Sequence, residues 1–201
     1  GIIYLQITRG VAPRDHKFPK SGTPASLVMT TRRVVHERSP NFWKGVKVIT
    51  IPDIRWLRCD IKSTSLLPNC LGKQEAFEAG AYEAWQVGED GNITEGTSSN
   101  AWILTREKEL ITRAPTNDIL NGITRLTIIE IAAQQGIKFV ERPFSVAEAK
   151  AAEEAFTSSA TSFVTPVVQI DDTVLSNEPG TLTINLLNSY RQYIERLEAT
   201  L

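Results

Sequence analysis

The sequence predicts a mixed α/β or α+β fold, a small strand-rich piece followed by a larger domain. Three observations predict it. Strand-like, loop-like and helical stretches follow one another irregularly, which argues against a doubly wound parallel sheet. The 201 residues are 41% apolar and 22% charged, enough to bury the core of one large or two small domains and outside the disordered and fibrous classes. The polar, proline-bearing stretch Glu37-Arg38-Ser39-Pro40-Asn41-Phe42-Trp43 separates two parts of different character. The expected division is 1–37, a linker over 38–43, and a large domain over 44–201.

Residues 2–9 and 26–35 are β-rich runs, and the segment between them, with Pro13, Pro19 and Pro24, is a loop on composition alone. The chain opens without methionine, directly in the apolar run Gly1-Ile2-Ile3-Tyr4-Leu5-Gln6-Ile7. A strand needs a partner, so an N-terminal portion of the protein is expected to be absent from this sequence. Residues 44–52 alternate as a strand. The stretch 52–69, PDIRWLRCDIKSTSLLPN, reads as a strand or extended segment leading into a helix over 65–79 that Gly80 ends. Two hairpins are expected next: 84–87 with 93 around Asp90-Gly91, and 101–104 with 110–112 around Arg106-Glu107-Lys108-Glu109. Residues 123–135 form the clearest amphipathic helix, closed by Gly136. Ser145 and Glu148 make a capping box that opens a helix over 146–155. Residues 156–170 are hydroxyl-rich, then strand-like. A last helix over 181–197 places Leu182, Leu186, Tyr190, Tyr193 and Leu197 on one face.

A net charge of −1 argues against a nucleic-acid or anionic-membrane surface, since both need a concentrated basic face. Small molecules or other protein chains are the expected partners. Cys59 and Cys70 form no metal-type spacing; two unpatterned thiols suit a reducing cytosol and leave a single disulfide open. No metal site, membrane span or secretory signal pattern is read, and a cytoplasmic location is expected.

Three segments are suited to hold an anion. Asn121-Gly122-Ile123-Thr124 opens the best helix, where free backbone N–H groups favour a phosphate. Residues 157–162 supply five hydroxyls in six positions, and Gly96-Thr97-Ser98-Ser99-Asn100 forms a third polar loop after Glu95. Each alone reads first as an ordinary cap or turn. Lys62 sits among Arg55, Arg58 and Asp60. Its bland reading is a solvated side chain; its functional reading is an amine that forms an imine with a carbonyl compound. Glu95 by default is a surface carboxylate. Arg14 and His16 read as either a basic surface loop or an anion clamp.

Taken in order, DIRWLRCDIKSTSLLPN, EAWQVGEDGNITEGTSSNAWIL, NGITR and SSATSFVTPV resemble the class IV (fold type IV) pyridoxal-phosphate aminotransferases, most nearly those that act on D-amino acids. The resemblance runs from about Tyr4 to Asp172. It implies a large pseudo-barrel domain preceded by the tail of a small N-terminal α+β domain, with pyridoxal 5'-phosphate as cofactor and a cytoplasmic homodimer as the working unit. Ping-pong transamination between a D-amino acid such as D-alanine and a 2-oxo acid such as 2-oxoglutarate is the implied reaction. Lys62 matches the lysine that carries the cofactor and moves the substrate's α-proton, and Glu95 the carboxylate that pairs with the pyridinium nitrogen. Ser98 and Ser99 match the polar loop beside the cofactor; Ile123 and Thr124 match the phosphate-binding helix start, and Ser159 and Ala160 the second phosphate loop. Family members carry a hydroxyl where Ala160 stands, so its backbone N–H must serve or Thr161 compensate; Phe163 stands where a glutamate is common. Arg14 and His16 match the pair that traps the substrate carboxylate across a dimer interface. Arg55 and Arg58 are expected behind the site, orienting Glu95 or the phosphate. A branched-chain aminotransferase or aminodeoxychorismate lyase of the same class, and an inactive dimerising fragment, are the alternatives.

Overall fold

The computed structural model describes residues 1–33 and 41–199, and the chain divides into two units, Gly1–Ser39 and Pro40–Leu201. The first unit is an antiparallel hairpin of β1 (Ile2–Thr8) and β2 (Ser26–Arg32), in register from Ile2 opposite Arg32 to Thr8 opposite Ser26. The proline-bearing loop joins them as expected. Of the expected linker, residues 38–40 lie outside the described residues, while 41–43 open the short helix α1 (Asn41–Lys44).

The second unit continues with β3 (Val46–Pro52), α2 (Leu67–Glu78), β4 (Glu83–Val87), β5 (Ile93–Gly96), β6 (Asn100–Leu104) and β7 (Glu109–Thr112). Then follow α3 (Ile123–Gln134), β8 (Lys138–Glu141), α4 (Val146–Ala151), β9 (Glu154–Ser159), β10 (Phe163–Ile170), β11 (Thr173–Val174) and α5 (Thr181–Glu198). The strands form one nine-stranded mixed sheet in the order β5-β4-β3-β10-β9-β6-β7-β8, with β11 paired to β10, and it curls into a half-barrel. Its two parallel consecutive pairs, β3 with β4 and β7 with β8, are joined through α2 and α3. Parallel neighbours need such crossovers, whereas β4–β5 and β6–β7 close as tight hairpins. Gly91, with φ 76, makes the first of these turns at the Asp-Gly signal.

Both sheet faces are covered, so the central strands are buried throughout rather than alternating. On β6, Ala101 and Ile103 pack with Trp85, Ile111 and Phe144, while Trp102 faces Phe156, Ile128, Leu186 and Tyr190 under α3 and α5. No described helix is long and apolar enough to cross a membrane.

Four expectations need correction. The helix at Ser145 stops at Ala151 because Glu154 and Ala155 are already bonded into β9 between β6 and β10; ladder pairing on both sides outweighs helical propensity. Its capping box is half made: Ser145 Oγ accepts the Glu148 N–H at 3.1 Å, but the Glu148 carboxylate turns to Arg142. The buried face of α5 is Leu186, Leu187 and Tyr190, and Tyr193 and Leu197 remain exposed. Residues 53–66 form no strand beyond Pro52 and no helix before Leu67.

The start of α5 is capped from another strand. Glu154 of β9 accepts the N–H groups of Leu182 (3.0 Å) and Thr183 (2.8 Å) and the Thr183 hydroxyl (2.8 Å). A carboxylate there serves both the unpaired donors and the positive end of the helix dipole. The approach is close enough that a Cβ on Gly180 would lie 2.0 Å from the Glu154 carboxyl carbon. Glu154→Ala is expected to cost about 1–2 kcal/mol in urea unfolding, comparable to loss of an N-cap.

Candidate active site

After Pro52 the chain is held by its ends rather than by a ladder. The Asp53 N–H bonds the Val87 carbonyl and the Cys59 N–H bonds the Asn117 carbonyl, both at 2.8 Å. These ties fasten the segment carrying Lys62 to the end of β4 and to the loop before α3. Lys62 borders a cavity of about 630 Å3, together with Glu95, Ser98, Ser99, Ile123, Thr124, Ser159 and Ala160. Every residue expected to hold a cofactor therefore lies on one cavity, although they come from four separate stretches of chain.

Glu95 sits on β5 with its side chain 8% exposed. Its carboxylate accepts from Arg55 Nη1 (2.5 Å), from Asn100 Nδ2 (3.0 Å) and from the Leu120 N–H (3.1 and 3.2 Å to its two oxygens). Burial pushes its carboxyl up to about 7, against the opposing pull of Arg55 and with a further push from Asp53. The Arg55 guanidinium is desolvated too, but its carboxylate partners Asp53 and Glu95 outweigh that and hold it firmly protonated. The two directions are compatible because one cation serves two carboxylates.

Asn100 also donates to the Leu120 carbonyl at 2.9 Å, and a Cβ on Gly122 would meet Asn100 Oδ1 at 2.6 Å. One side chain thus joins the acidic end of the cavity to the start of α3. That helix begins at Gly122 in extended backbone with no side-chain cap, which leaves its first N–H groups available to an anion. The Thr124 hydroxyl lies 3.2 Å from the Tyr190 hydroxyl, so it is the backbone of Ile123 and Thr124 that offers donors.

In the second polar loop, Ser159 Oγ accepts the Ser162 N–H at 3.2 Å and lies 2.7 Å from Ser162 Oγ. Thr161 borders the cavity beside Ala160, which puts a hydroxyl where Ala160 lacks one. Phe163, with φ 53, packs its ring 5.5 Å from Tyr190, an apolar contact in place of the common glutamate. The third loop stands on a residue the sequence reading missed. Buried Glu83 receives the Thr97 hydroxyl, Ser98 Oγ at 3.0 Å and Ser99 Oγ at 3.1 Å. Asp53 was also missed, Asn100 is read from sequence only as part of the polar loop, and Tyr190 only as part of a helix face. Only Asn100 had a sequence signal for its place in the site, as the polar residue opening an apolar strand beside a glycine-rich turn.

Arg55 and Arg58 separate. Arg55 is buried against Glu95 as expected, whereas Arg58 is half exposed and bidentate on Asp60 at 2.8 and 2.9 Å. A guanidinium saturated by a neighbour two residues away does not orient Glu95, and Arg58 does not border the cavity. Arg14 and His16 are exposed in the β1–β2 connection of the first unit. Cys59 and Cys70 are free thiols.

An amine, a buried anionic acceptor and a helix start with open N–H groups around one cavity form a donor set that fits pyridoxal phosphate. Comparison with known proteins points the same way. The family described as amino-transferase class IV matches residues 1–170. D-alanine aminotransferase of Bacillus licheniformis is 40% identical over 195 residues, covering 96% of this chain and 68% of the relative. D-alanine aminotransferase of Staphylococcus aureus (strain MSSA476) is 41% identical over 197 residues, covering 97% and 68%. Among solved structures, the branched-chain amino acid aminotransferase of Escherichia coli superposes with a TM-score of 0.82 at 22% identity, over 94% of this chain and 64% of that one, a likeness of fold.

Proposed function

The chain belongs to the class IV aminotransferases, and from that premise we propose that it transfers an amino group between a D-amino acid, such as D-alanine, and a 2-oxo acid, such as 2-oxoglutarate. The observation that carries this is the single cavity bordered by Lys62, Glu95 and the start of α3. The D-amino acid preference is supported by the D-alanine aminotransferase relatives and by Arg14 and His16, a guanidinium and an imidazole suited to a carboxylate. Residues 1–37 act as the tail of a small domain and 44–201 as the cofactor-binding domain, in a cytoplasmic homodimer.

Pyridoxal phosphate, when bound, supplies an electron sink for the charge left at the substrate's α-carbon. The chain's own groups do the rest. Lys62 Nζ would hold the cofactor, and its free amine is the group to take a proton from the substrate's α-carbon and give it back. Glu95 would be the carboxylate acceptor for a protonated ring nitrogen. The N–H groups of Ile123 and Thr124, with the Ser159–Ala160 loop, hold the phosphate. Arg14 and His16, contributed by a second copy of the chain across the dimer, take the substrate carboxylate.

Adding pyridoxal phosphate to the purified protein is expected to give a visible absorption band that borohydride fixes onto the peptide containing Lys62. D-alanine should bleach the band and L-alanine should not. Bleaching only by L-amino acids or by aminodeoxychorismate would move the chain to the branched-chain or lyase reading, and absence of any band would make it an inactive homologue.

A further inference from the structure

We propose that Asp53 is a positioning residue that sets the proton affinity of the Glu95 carboxylate by competing with it for Arg55. Asp53 stands at the end of β3, its backbone N–H bonded to the Val87 carbonyl at 2.8 Å, so its carboxylate has a fixed place. That carboxylate takes the larger share of the guanidinium. Oδ1 accepts from Arg55 Nε (2.9 Å) and the Arg55 N–H (3.1 Å), and Oδ2 from Arg55 Nη2 (2.7 Å) and Thr94 Oγ1 (2.7 Å). Glu95 receives only Nη1. Nη2 also reaches the Asp118 carbonyl at 3.0 Å.

The side chains of Arg55, Asp53 and Glu95 are 6, 11 and 8% exposed. A permanently charged guanidinium between two buried carboxylates leaves one negative charge without a cation of its own. The division of hydrogen bonds places that surplus on Glu95, the one of the two carboxylates that borders the cavity. The other groups facing Glu95 do not cancel it. Asn100 and the Leu120 N–H are neutral donors, the Cys59 thiol is pushed up by burial, and the Asp118 carboxylate is paired with Arg113 at 2.6 Å. Asp53 itself is desolvated, yet its bonds to Arg55 and Thr94 win and hold it below the usual carboxylate range. Glu95 is thereby a carboxylate in want of a cation or a proton from the cavity side.

Its consequence for the reaction rests on the proposal that Glu95 meets the ring nitrogen; its effect on Glu95 does not. The test is the Glu95 titration midpoint in the cofactor-free full chain, read by 13C NMR with carboxyl-labelled glutamate and assigned with Glu95→Gln. Asp53→Asn is expected to lower the midpoint by about one pH unit, as removal of a nearby like charge does, and Asp53→Glu to leave it within a few tenths. An unmoved midpoint in a folded Asp53→Asn protein overturns the proposal. Asp53→Ser is read the same way if the asparagine variant does not fold. If neither folds, a wild-type midpoint at or below the ordinary 4.5 overturns it. Pyridoxal phosphate affinity is measured alongside and is expected to weaken about tenfold in Asp53→Asn, one pH unit's worth of lost proton affinity. A shifted midpoint with unchanged affinity would leave Asp53's role standing and remove the ring-nitrogen assignment of Glu95.

Discussion

Replacing Lys62 with alanine is expected to lower transamination by at least about 10^3-fold, the scale of losing an attached nucleophile and its proton transfer together, with the fold intact. The fold should tolerate it because Lys62 is exposed on an irregular segment and makes no hydrogen bond or ion pair among the described residues. Unfolding in urea should stay within about 0.5 kcal/mol of wild type, as for a surface position. The cavity has a second amine, and the structure separates the two. Lys73 on α2 borders the same space, but its ammonium bonds the Tyr82 carbonyl, lies 3.5 Å from Glu83 and sits 4.8 Å over the Tyr82 ring. A lysine tied to a carbonyl, a buried carboxylate and an aromatic face is held in place, the opposite of a mobile nucleophile. Borohydride should therefore fix the chromophore in Lys73→Ala and fail to do so in Lys62→Ala. A fixed band in Lys62→Ala would transfer the attachment to Lys73 and overturn the central assignment.

Glu95→Gln is expected to stabilise the cofactor-free protein and disable the loaded one. The folded-state carboxyl is raised to about 7 from an ordinary 4.5, so the folded chain holds this proton more tightly than the unfolded chain. Stability from this group is full below pH 4.5 and is lost as pH rises toward 7, a loss of about 3 kcal/mol. Cofactor-free wild type should accordingly show a falling urea midpoint between pH 5 and 8. Glu95→Gln should flatten that fall and gain about 1–2 kcal/mol at pH 8, because a neutral amide needs no partner for its charge. The same change removes the acceptor for a protonated ring nitrogen, and turnover should drop by about 10^2-fold or more with weaker pyridoxal phosphate binding. A flat wild-type stability profile would refute the burial argument, and undiminished turnover would refute the role. A carboxylate that costs stability when empty-handed is the pattern expected of a residue kept for chemistry rather than for folding.

Much of the site was legible in residue types and their order. Lys62, Glu95, the 97–100 loop, the 121–124 helix start and the hydroxyls of Ser158, Ser159 and Thr161 follow the order of the family's motifs, and the fold brings them to one cavity. The legible elements were those with strong local signals: the Asp90-Gly91 hairpin, the 123–134 helix, and the strands on either side of the proline-bearing loop. Failures occurred where a nonlocal partner outweighed a local rule. The capping box at Ser145 and Glu148 opened a helix that β9 pairing cut short, and Arg142 drew the Glu148 carboxylate away. Arg55 and Arg58 are three residues apart and chemically alike, yet one is buried against Glu95 and the other spends its charge on Asp60 at the surface.

By itself, then, the sequence determined which stretches are strands and helices, through periodicity and turn chemistry, and which family's motifs they carry, through order. Only the tertiary structure decided which groups meet. Arg55 and Glu95 are 40 positions apart, Thr124 and Tyr190 are 66 apart, and Glu83 reaches under a loop 14 to 16 residues further on. Periodicity records which face a side chain takes, whereas the state of a buried charge depends on the handful of atoms within hydrogen-bonding reach, and chain folding alone chooses those.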